Sequence, residues 1–133
     1  MSQRIFVFAV LALAPVISWA SAASAHHSLS GTYDPASTVE LTGVVTKVAW
    51  VNPHVQIYVN APDPETGEVL NWTVELGPPH RLQASGWGRG AVAAGDELSL
   101  RGAQARDGTR RMTGSTVTIP ATGLRPGSSP DSC

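Results

Sequence analysis

The chain has a single cysteine, Cys133, at its last position. No internal disulfide is possible, so the fold must hold without one. A phosphate loop is missing, and so are a G-x-S-x-G elbow and a Cys-x-x-Cys pair. The acidic residues show no pairing that the sequence alone can place. Evidence for an enzyme is therefore thin. A basic surplus is absent too: nine Lys and Arg stand against ten Asp and Glu. That balance argues against a nucleic-acid partner, which would call for a basic face. Long apolar runs are missing beyond the N-terminal region, so nothing after it suggests a membrane span.

The N-terminal region itself reads as a secretory signal peptide. Arg4 supplies a positive start, Ile5 to Ala20 are almost wholly apolar, and Ser21 to Ala25 are all small. The apolar stretch is short for a membrane anchor and is interrupted by Pro15. Ala23 and Ala25 suit signal peptidase at −3 and −1, which places the cut after Ala25. A cut after Ala23 also fits. Removing the first 25 of 133 residues leaves 108, enough for one small domain. Arg4 leaves with them, so eight basic side chains face ten acidic ones, a net charge of about −2. The expectation is a soluble periplasmic or secreted domain without a stable membrane anchor.

Residues 26–37 read as an extended lead-in and residues 38–119 as one β-rich domain. Residues 120–133, rich in Pro, Gly and Ser, read as a disordered tail. In the first strand, Val39 and Leu41 share one parity, whereas Val44, Val48 and Trp50 share the other. The shift predicts a bulge and bend at Gly43. Strand two, 54–60, points Val55, Ile57 and Val59 inward. Strand three, 68–76, points Leu70, Trp72, Val74 and Leu76 inward. Pro79 begins a short helix that stops at Gly86. Strand four follows from Asp96, Asp107-Gly108 makes a hairpin, and strand five runs from Arg111 to Ile119. The order β-β-β-α-β-β, with a long bent first strand, is that of an all-β, OB-like barrel. Such a barrel is five-stranded and partly open. Trp50, Trp72 and Trp87 read as core.

Two of the four histidines stand side by side at the proposed mature start. If His26 is the first residue, its α-amino nitrogen and Nδ1 can chelate one metal ion. A second imidazole, from His27, His54 or His80, would give three nitrogens, a set that suits Cu(II). The amino group has an ordinary pKa near 8, so protons compete only modestly at neutral pH. Cutting after Ala23 makes His26 the third residue, which also suits square-planar Cu(II) or Ni(II). His54 follows Asn52-Pro53 and lies on the parity opposite to Val55, so it should avoid the core. A rigid turn is a sound support for a ligand. Glu75 would orient one histidine through its other ring nitrogen. The competing reading leaves the histidines solvated. In that case Gln56, Tyr58, Asn71 and Thr73, with Glu75, form an outer face for a peptide, a glycan or a periplasmic partner protein.

His26-His27-Ser28, Thr42-Gly43-Val44-Val45, Trp50-x-Asn52-Pro53-His54, Trp72-x-x-Glu75, Gly86-Trp87 and Gly95-Asp96 occur in that order. This ordered set resembles a family of small exported bacterial proteins known as domain of unknown function 6152, over about Ala25 to Ile119. The resemblance implies the small barrel, export, and a shared histidine pair and Asn-Pro-His turn, here His26, His27 and His54. It carries no established activity. His80 and the stretch from Leu29 to Tyr33 depart from the family's pattern, so His80 ranks below His54 as a ligand. The reading that results is a copper carrier or buffer with His26, His27 and His54 as ligands.

Overall fold

The computed structural model describes residues 31–121. The histidine pair, the proposed signal peptide and most of the tail lie outside these residues. The elements are β1 (Tyr33–Ala49), β2 (Gln56–Pro62), β3 (Val69–Glu75), α1 (Pro79–Ala84), β4 (Glu97–Ala105), β5 (Arg111–Thr113) and β6 (Thr116–Thr118). Neighbouring strands run β1-β2-β3-β5-β4, and β4 pairs back onto β1, which closes a five-stranded barrel. All these pairings are antiparallel except β3 with β5. A sixth strand, β6, lies along β4. The described residues thus form an all-β small barrel with a short helix between β3 and β4, as the order of elements in the sequence indicates.

Strand β1 closes the barrel because it serves two partners. Tyr33 to Val44 pair with β4, and Val44 to Ala49 pair with β2. Gly43 stands at the handover, where the backbones crowd. A Cβ there would run into the Asn60 carbonyl oxygen and lie 2.7 Å from Val59 Cγ1. The bulge itself falls a little later, between Val45 and Lys47. Val45 is therefore buried and Val44 exposed, the reverse of the expected phase. The reason is that the shift comes after Val45, which keeps the inward parity of Val39 and Leu41; its N–H donates to the Asp96 carbonyl and its own carbonyl accepts from Gly95, just ahead of β4. The extra residue comes next, and Val48 and Trp50 return to the core side. Strand β1 also starts at Tyr33, five residues before the expected Thr38.

Expected strand five is two strands. Gly114 and Ser115 break it: Gly114 N–H donates to the Glu75 carbonyl, and Ser115 N–H to the Arg101 carbonyl. The chain thereby moves from β3 to β4. A Cβ on Gly114 would meet the end of the Leu76 side chain, which would have to move aside for any larger residue.

The core draws on nearly every element. Val45, Val55, Ile57, Val59, Val74, Leu98, Met112 and Val117 are fully buried. Each contributes on the order of 1.5–3 kcal/mol by burial, which is how the barrel holds without a disulfide. Leu82 of α1 and Trp87 join this cluster, whereas Trp50 and Trp72 are half-buried against it. Helix α1 ends where the sequence indicates, with Gly86 at φ +92° and Trp87 N–H bonded to the Leu82 carbonyl.

Candidate functional site

The end of β3 is braced from both sides. Leu76 N–H donates to the Val55 carbonyl, Val55 N–H to the Gly77 carbonyl, and Gly114 N–H to the Glu75 carbonyl. The β2–β3 register places Gln56 opposite Glu75. His54, just outside β2, follows a cis Asn52-Pro53 peptide. The bonds around Val55 and the β2–β3 register set the imidazole of His54 against the carboxylate of Glu75. Nδ1 lies 2.6 Å from Oε1, and both side chains are only 12% exposed. At that separation from a carboxylate oxygen, Nδ1 carries a proton. In the neutral imidazole Nε2 then keeps the lone pair.

The other carboxylate oxygen is also engaged. The Tyr33 hydroxyl donates to Oε2 at 2.5 Å. Arg111 approaches the same oxygen at 3.6 Å and the Tyr33 hydroxyl oxygen at 3.4 Å. Its guanidinium also lies over the Tyr33 ring. The parallel β3–β5 register delivers Arg111 by pairing it with Thr73. Tyr33 comes from the far end of β1, where it pairs with Ala105. A nearly buried carboxylate is costly unless its lone pairs are used; here two short donors use them, and the guanidinium charge lies close by. Burial pushes the Tyr33 hydroxyl above the ordinary tyrosine range. The bond to Glu75 and its negative charge push the same way, and Arg111 opposes them. The hydroxyl stays protonated and keeps its place as donor.

Gln56, Tyr58, Asn71 and Thr73 lie on the outer face beside this cluster and engage their neighbours. Tyr58 donates to Gln56 at 3.0 Å, and Asn71 to Asn60 at 2.9 Å. Lys47 sits over the Tyr58 ring. The registers align Lys47, Tyr58, Thr73 and Arg111 in one row across four strands. His80 is exposed on α1. A groove of about 420 Å³ on the β1, β4 and β6 face, lined by Glu40, Thr42, Ser99, Arg101, Thr116 and Thr118, shares none of these residues.

The structure thus brings together His54 and Glu75, and His26 and His27 lie outside the described residues. Among the described residues, no group of three or more His, Cys, Asp or Glu is gathered to hold a metal. His54 supplies one free imidazole nitrogen, and any further ligand must come from elsewhere in the chain or from a partner. Sequence reasoning missed Tyr33 and Arg111. Arg111 was legible from its parity opposite to Met112. Tyr33, ahead of Asp34-Pro35, lay in the stretch read as lead-in and carried no periodic signal.

A family model described as a family of unknown function (DUF6152) matches residues 12–118. No curated protein and no solved structure matches the chain.

Proposed function

We propose that this chain, which belongs to that family of unknown function, is an exported metal-binding protein that carries or buffers copper. His26, His27 and His54 would be its ligands. The observation that carries the reading is the state of His54. Its Nδ1 is committed to Glu75, which leaves Nε2 as a ligand held by a braced scaffold. A carboxylate behind a histidine fixes the ring and raises the basicity of the ligating nitrogen. The remaining nitrogens would come from the lead-in. Cleavage after Ala25 would make His26 the first residue, with an amino group and a ring that chelate together. Tyr33 anchors the lead-in on the very carboxylate that holds His54. His27 precedes Tyr33 by six residues, a contour of about 20 Å at most, so His54 is within its reach. Imidazole and amine nitrogens in this number favour Cu(II) among the common divalent ions.

The experiment is a native mass spectrum of the protein expressed with its own signal peptide and no added tag. It is followed by Cu(II) titration of the product and of the His26→Ala/His54→Ala variant. The expected product starts at His26 and binds one copper, and the variant binds far more weakly. Equal binding by the two proteins sinks the reading.

A second reading has its own observation. The continuous row of Lys47, Tyr58, Thr73 and Arg111, flanked by Gln56 and Asn71, is a polar stripe suited to a peptide, a glycan or a partner protein. On that reading Tyr58→Ala abolishes capture of the partner and chelators have no effect.

A further inference from the structure

We infer that Tyr33 is a positioning residue for the proposed metal ligand His54, acting through Glu75. This inference rests on the metal-binding reading.

Glu75 is a bridge with one short donor on each oxygen: His54 on Oε1 and Tyr33 on Oε2. A carboxylate bonded on one oxygen alone can swing about its terminal torsion, which is broad and nearly free. Bonding on both oxygens fixes its plane, and the plane of the carboxylate sets the plane of the imidazole that donates to it. Arg111 does not substitute for Tyr33. Its closest nitrogen is 3.6 Å from Oε2, beyond ordinary hydrogen-bond length, and its side chain is 42% exposed. Tyr33, by contrast, is 3% exposed. It is fixed by pairing with Ala105 and by the bond from Arg106 N–H to the Thr32 carbonyl. The rigid donor is the tyrosine. Without its hydroxyl, Glu75 keeps His54 but loses its own orientation, and Nε2 is no longer aimed.

The test uses the full chain with its native start and the variants Tyr33→Phe, Glu75→Gln and the two combined. Cu(II) affinity is measured by competition, with the electron paramagnetic resonance spectrum of the bound ion. The nitrogen-15 signals of the His54 ring are read without metal. Loss of an outer hydrogen-bond partner of a ligating histidine weakens metal binding by roughly 10- to 100-fold. Glu75→Gln is expected within that range, and Tyr33→Phe near its lower end. The double variant should be no weaker than Glu75→Gln alone, because Tyr33 acts only through Glu75. In the metal-free protein, Tyr33→Phe should shift and broaden the His54 ring signals, because the ring keeps its Nδ1–H bond to Glu75 but loses its fixed orientation. Circular dichroism confirms that each variant is folded, and a Tyr33→Phe protein too unstable in plain buffer is measured with wild type in a stabilising osmolyte, where the same ring signals decide. The inference is overturned if Tyr33→Phe leaves affinity and ring signals unchanged while His54→Ala weakens binding. Additive losses in the double variant overturn it as well. If His54→Ala itself binds copper like wild type, the metal-binding reading falls and takes this inference with it.

Discussion

The hydroxyl of Tyr33 lies 2.5 Å from the carboxylate of Glu75, across 42 positions of sequence. The bond ties the first residue of β1 to the last residue of β3, two strands that do not pair with each other. It therefore acts as a cross-brace on the barrel as well as a part of the site.

That dual role gives a stability prediction that needs no metal. Tyr33→Phe removes one hydrogen bond to a charged acceptor, at a cost of about 1.5–3 kcal/mol. Glu75→Ala strands the Tyr33 hydroxyl and leaves Arg111 without its carboxylate. It should cost at least as much, about 2–4 kcal/mol. Urea unfolding measures both, and a loss under about 0.5 kcal/mol for Glu75→Ala would show that the carboxylate is not a brace.

The same hydroxyl sets an alkaline limit. Its folded pKa is raised, chiefly by burial. A raised value means that the folded state holds this proton more tightly than the unfolded chain does. The contribution is complete below the ordinary tyrosine value of about 10 and is lost as pH rises above it. Wild type should lose its urea midpoint between about pH 10 and 11.5 more steeply than Tyr33→Phe does. Parallel curves would count against a buried, protonated Tyr33.

Much of the barrel was legible in the sequence because apolar alternation reports burial directly. Val55, Ile57 and Val59 alternate with polar residues and are fully buried, and Gly86 stops α1. Places where the chain shifts phase were not legible. Val44 and Val45 are both β-branched, and which turns inward depends on where the shift falls; it falls after Val45, which keeps the parity of Val39 and Leu41. The break at Gly114-Ser115 depends on bonds to the Glu75 and Arg101 carbonyls, far away in sequence, which no local pattern announces. The candidate site divides in the same way. His54 stood out through its Asn-Pro turn and Glu75 through its parity. Tyr33 reaches Glu75 only because the barrel closes, a contact that no short window of sequence contains.

Closure also predicts which glycines resist substitution. A Cβ on Gly102 would overlap the Thr113 carbonyl, so Gly102→Ala must push β5 away from β4. Gly43→Ala must do the same to β1 and β2. Overpacking of this kind costs about 1–3 kcal/mol or more. For a domain of this size that is a fall of roughly 5–20 °C in Tm. Gly77 has open space and an ordinary φ, so Gly77→Ala should stay within about 0.5 kcal/mol of wild type. Thermal unfolding of the three variants checks the ranking, and a Gly102→Ala protein as stable as Gly77→Ala would contradict the close approach of β4 and β5.

The β2–β3 turn predicts an acid limit to match the alkaline one. Asp63 Oδ1 accepts the N–H groups of Glu65 and Thr66 at 2.9 and 3.0 Å. The bond from Thr66, followed by that from Glu65, holds the carboxyl below its ordinary value. A depressed folded pKa means that the contribution is present above the unfolded value, near 4, and is lost as pH falls below it. Asp63→Asn keeps the shape and can still accept, but it has no proton to gain. Between about pH 5 and 2, wild type should therefore lose its urea midpoint more steeply than Asp63→Asn. At neutral pH, Asp63→Asn should be the less stable of the two. If both proteins show the same slope on acidification, the Asp63 carboxylate does not hold this turn.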